Sequence, residues 1–115
     1  MERNTRTRST PHLLVESKGP WTDPRGAFMQ DACSVVLAGH PVQLLCVQDA
    51  VAAAVQDASP HVRALLEAGG ELWVDDFSLA QRGMTNVRLE PGAQVVDMAR
   101  TAARLLEPGV RVVWH

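Results

Sequence analysis

The chain has 115 residues, 46% of them hydrophobic and 21% charged, which suits one globular domain and excludes both a disordered chain and separate substrate and cofactor domains. A net charge of −2 gives no overall attraction for nucleic acid or an anionic membrane, and no apolar stretch is long enough to cross a bilayer. The expected location is the cytoplasm, with neither nucleic acid nor membrane as partner.

Residues 1–11 carry Arg3, Arg6 and Arg8 among Thr, Ser and Asn, without apolar periodicity. They read as a disordered arm that lacks the apolar region of a signal peptide, ahead of one domain at 12–115. His12-Leu13-Leu14-Val15-Glu16, closed by Ser17-Lys18-Gly19-Pro20, has the pattern of a buried strand and its loop. Asp23-Pro24 predicts a helix start with a cap and a first-turn proline. Phe28, Ala32, Val35 and Val36 follow at helical spacing, and Gly39 is the stop. Residues 41–47 are almost wholly apolar, as in a strand covered on both faces. Gln48 and Asp49 lie at its tip, with Asp49 placed to cap a short helix over 50–56. Ser59-Pro60 opens a helix that ends near Ala68 at Gly69-Gly70, and 71–74 is the third strand. Residues 86–89 read as a short fourth strand. Pro91-Gly92 then leads into a helix with Val95, Val96, Met98, Ala102 and Leu105 on its apolar side, and 110–114 closes the chain as a strand. This alternation predicts a single-domain α/β fold: an open, mostly parallel five-stranded sheet with helices on both faces.

The strand over 71–74 ends abruptly in two adjacent carboxylates, Asp75 and Asp76. An open parallel sheet places its ligands beyond such strand ends. Adjacent residues of an extended strand point to opposite sides, which disfavours a shared-proton dyad and favours one aspartate capping a helix that starts near Phe77. The competing reading makes Asp75 or Asp76 a catalytic general base with Lys18 as electrostatic partner. A ligand-binding set is expected in the same crevice: Ser17, Lys18 and Trp21 from the first loop, Gln48 and Asp49 from the second, and Asp75 and Ser78 from the third. Ser78 is open between cap and ligand contact, and Trp21 between lid and subunit interface.

Other chemistries lack their patterns. There is no GxGxxG, Walker or GxSxG motif. His12, His40, His61 and His115 show none of the spacings that place two imidazoles on one ion. No cofactor and no metal are therefore expected. Cys33 and Cys46 form neither a CxxC pair nor a zinc spacing and sit in apolar surroundings, as buried free thiols do. Arg82 is expected to bridge an aspartate or contact a partner chain.

Leu14-Val15-Glu16-Ser17, the helix from Asp31-Ala32 to Ala38-Gly39-His40, Val47-Gln48-Asp49-Ala50-Val51, and the strand 71–74 followed by Arg82-Gly83 resemble the DsrE/DsrF-like family of sulfur-relay proteins across residues 12–115. The resemblance implies a compact α/β fold and a homo-oligomer, trimer or hexamer. It also implies a sulfur-carrying cysteine after the third strand, eight positions before the glycine of the Arg-Gly pair. Asp75 stands at that position here, and Ser78 where some members have a second cysteine. Persulfide relay needs a thiolate, so the expectation is a small-molecule-binding or interaction oligomer that has lost sulfur transfer, with catalysis left open. The alternatives are a persulfide carrier using another cysteine and an enzyme using Asp75 or Asp76. An oligomer would let the Trp21 loop of one chain close over the Asp75 region of another, and a sulfur-relay or other protein partner fits the same resemblance.

Overall fold

The computed structural model describes residues 9–115, so most of the arm expected over 1–11 lies outside the described residues. β1 (His12–Glu16) and β2 (Val42–Cys46) are buried at every position, which their near-continuous apolar sequence requires of strands covered on both faces. β3 (Glu71–Asp75), β4 (Gln94–Val96) and β5 (Arg111–Trp114) complete a sheet of order β4-β3-β2-β1-β5. Every pairing is parallel, the architecture the alternation predicts. The chain builds outward from β1 through β4, then returns to lay β5 against the other side of β1. This reversal makes the β1–β5 junction a topological switch point.

Alternation along the strands divides the core in two. Leu14, Leu44, Cys46, Leu72 and Val74 pack against α1 (Ala27–Leu37), α2 (Pro60–Glu67) and a 3-10 helix (Gln48–Ala54), which contribute Met29, Ala32, Val62, Leu65 and Val51. On the opposite face Leu13, Val15, Leu45, Trp73 and Val96 meet Leu105 of α4 (Met98–Leu105), together with Val110 and Val112. Only Thr101 of α4 is buried. That face is thinly covered, and Phe77, Met98, Leu106 and Trp114 remain exposed.

Four boundaries differ from expectation. α1 begins at Ala27, with left-handed Gly26 as its N-cap residue; Asp23 still serves the helix, since its Oδ2 accepts from Ala27 N at 3.0 Å. The helix after β2 is 3-10, starts at Gln48 and has no side-chain cap. Asp49 is instead drawn into an ion pair with Arg82. The fourth strand is Gln94–Val96, whereas 86–89 supplies one isolated antiparallel bridge, Val55 to Leu89. Asn86, Val87 and Arg88 are exposed, so that segment has no apolar face to bring to the sheet. Val95 and Val96, read as helical, form the edge strand, and α4 begins only at Met98. Asp97 caps it, its Oδ1 accepting from Arg100 N at 2.8 Å.

Candidate functional site

The run into Asp75 places a carboxylate at the carboxyl end of β3, where α3 (Asp76–Gln81) starts. Asp75 is the N-cap residue of α3. Its Oδ2 accepts from Ser78 N at 2.9 Å and from Ser78 Oγ at 2.6 Å. Ser78 Oγ in turn accepts from Gln48 N at 2.7 Å. One buried network therefore ties the start of α3 to the turn after β2, and both Asp75 and Ser78 are buried. Gln48 holds a left-handed backbone (φ 52°) at this junction, a conformation that costs a non-glycine residue free energy. Asp76 is exposed, in the first turn of α3. Arg82 closes the rim: its Nε and Nη2 lie 3.1 and 3.0 Å from Asp49 Oδ1, and its Nη1 donates to Ser78 O at 3.3 Å.

Beside Asp75 lies an open groove of about 290 Å³, walled by Leu45, Val47, Phe77, Met98, Leu105 and Trp114. Gln48, Ser78 and Thr101 also reach it. Thr101 Oγ1 is buried without a hydrogen-bond partner among the described residues. The groove opens on the face covered by α4.

The first loop goes elsewhere. Lys18 lines a different cavity, on the α1 and α2 face, together with Glu16. Ser17 Oγ donates to His115 O at 2.8 Å. Trp21 is 66% exposed, and its ring rests so closely on Gly19 that a Cβ there would collide with it. Within one chain the structure thus gathers Gln48, Asp75 and Ser78, sets Asp49 on Arg82 beside them, and puts Ser17, Lys18 and Trp21 apart.

Neither thiol lies in the groove. Cys46 is fully buried at the end of β2, and burial, helped by the negative charge of Glu16, pushes its thiol up to about 12. It stays protonated at neutral pH and is a poor nucleophile. Cys33 is half-buried between α1 and α2, its Sγ 3.8 Å from Ala64 O. Among the described residues no three His, Cys, Asp or Glu side chains cluster as metal ligands do, and no helix is long and apolar enough to cross a membrane.

No family model matches the chain, and no curated protein sequence does. Among solved structures, the YchN protein from E. coli superposes with a TM-score of 0.79 over 94% of this chain and 100% of that one, at 13% identity. The two chains share a fold. YchN has a DsrE/DsrF-like fold, and at this identity the likeness is one of fold. Sequence reasoning passed over Glu16, although it ends an apolar strand as Asp75 does. It also missed the Thr101 groove, whose walls come from four separate segments and leave no local pattern.

Proposed function

We propose that this protein is a binding and interaction module of DsrE/DsrF-like fold, a homo-oligomer of three or six chains that does not carry sulfur. The observation that carries this reading is the engagement of Asp75. At the strand end where the resemblance asks for a nucleophilic thiol, a carboxylate is committed to two hydrogen bonds from Ser78 that fasten α3. The wall beside it is mainly apolar, and Thr101 Oγ1 on it has no partner among the described residues, which suits a compact, mainly apolar ligand or a side chain of a neighbouring copy. Two free cysteines are in keeping with a reducing, cytoplasmic setting. The geometry does not favour a general base: Asp75 Oδ2 already accepts two bonds, and Asp76 lies outside the groove.

Incubation of the native protein with a persulfide donor, followed by intact-mass spectrometry and addition of an acceptor thiol protein, tests the reading. The expected result is no persulfide on the folded chain. A persulfide on Cys33 or Cys46 that passes to the acceptor would overturn it.

A further inference from the structure

We propose that the cavity at the carboxyl end of β1 binds a compact primary ammonium compound, with the Glu16 carboxylate as its counter-ion. This site lies on the opposite face of the sheet from the Asp75 groove and uses none of its residues. It stands beside the β1–β5 switch point, where open parallel sheets place ligands.

Sequence and packing build the cavity together. Glu16 ends β1 in register with Cys46, so its side chain turns toward the α1 and α2 face. There it is held rather than loose, with 4% of the side chain exposed. Both of its oxygens lie 3.0 Å from His115 Nδ1, and Oε2 also accepts from Lys18 N at 3.0 Å. The His115 ring is itself stacked on Phe28, centroids 4.9 Å apart. A carboxylate offers about four acceptor sites, and these two donors leave room for another. The walls are stiff and mostly apolar, with Pro20, Pro24 and Pro60 around Met29 and Ala58. Gly26 admits the His61 ring where any Cβ would collide with it.

Size and charge select the ligand. The pocket is partly open, and its volume is about 130 Å³, close to that of cavities which accept benzene, so a ligand of roughly six to nine heavy atoms fits. Glu16 and Asp23 both line it, with Lys18 and the His61 ring as the basic groups on its wall. Lys18 is exposed and free to keep its charged end in water. A positively charged donor meeting a buried carboxylate makes a charge-assisted hydrogen bond, the stronger kind, while the apolar walls receive the ligand's carbon skeleton.

Three ligands of one shape separate charge from size: benzylamine, protonated at neutral pH, benzyl alcohol and benzoate, each titrated into the full chain and followed by amide chemical shifts. Benzylamine is expected to move the amides of Lys18, Gly19, Gly26 and Ala58, to bind about tenfold more tightly than the alcohol, and to leave benzoate weakest. Glu16→Gln should remove that preference for the amine. Ala58→Leu narrows the cavity without touching Glu16 and should weaken amine and alcohol alike, which keeps the test decisive even if Glu16→Gln fails to fold. Equal affinities across the three ligands, binding unchanged by Ala58→Leu, or no shifts at those four amides would overturn the proposal.

Discussion

Asp75 and Asp76 are neighbours of the same type with opposite fates, and the difference is measurable. Removing the Asp75 carboxylate takes away the cap of α3 and leaves Ser78 Oγ, which is buried, without its acceptor. Asp75→Ala should cost about 2 kcal/mol. Asp76 meets solvent and touches only the field of the first helical turn, so Asp76→Ala should stay within about 0.5 kcal/mol. Denaturant melts of the two variants check this, and equal losses would show that Asp75 is not the cap. Cys46 yields a pH-dependent prediction. Its folded pKa is raised from 9.0 to about 12, so folding favours the protonated thiol. That stabilisation is complete below the unfolded value and is lost as pH climbs toward the folded one. Between these limits unfolding releases up to one extra proton, and stability should fall by up to about 1.4 kcal/mol per pH unit more steeply than in Cys46→Ala. Melts of both proteins across that window decide it; parallel pH profiles would mean that the thiol ionises alike folded and unfolded.

Among the helices α4 is the least anchored. It buries one residue, Thr101, and that residue's hydroxyl has no partner among the described residues, whereas β2 is flanked by β1 and β3 and buried throughout. Hydrogen exchange should therefore open Met98–Leu105 first and Val42–Cys46 last. Thr101→Val keeps the shape, removes the orphaned hydroxyl, and should stabilise the chain by about 1 kcal/mol. A loss of stability instead would mean that the hydroxyl finds a partner in solution, as a groove occupied by a ligand or a second copy would supply. Element boundaries were legible where a side chain caps its own helix: Ser59 and Asp75 both accept from the residue three positions on. They were not legible at β4, because three residues are too few to display the period of a strand. Val95 and Val96 also fit the apolar spacing of the helix that follows.

At the scale of the whole molecule, the thinly covered face is the feature that calls for company. Phe77, Met98, Leu106 and Trp114 are each at least 60% exposed, on a chain of 12.5 kDa. Phe77, Met98 and Trp114 line one groove, and exposed apolar side chains gathered in this way mark an interaction surface. Light scattering coupled to gel filtration is expected to show three or six chains per particle, and Trp114→Glu should shift the population toward smaller species by placing a charge on that face. A wild-type monomer at micromolar concentration would remove the oligomer from the proposed function. It would leave the Glu16 cavity standing, because that cavity is formed within one chain.

The α/β class, four of the five strands and the carboxylates at the end of β3 could be read from the residues, since hydrophobic period, caps and turn glycines are local properties that a short window records. The sheet order could not be read. Nothing local tells β5 to return beside β1, a choice made when burial is satisfied over the whole chain. The same holds for the site. Asp75 and Ser78 are three residues apart and their bond could be anticipated, whereas Glu16 meets His115 across 99 positions, and Lys18 parts from Asp75 because the strand pleat sends Glu16 and Asp75 to opposite faces of the sheet. The sequence by itself determined four of the five strand segments and the polar groups at the end of β3. The tertiary structure decided which of those groups share a cavity, because only strand order and register set which faces meet.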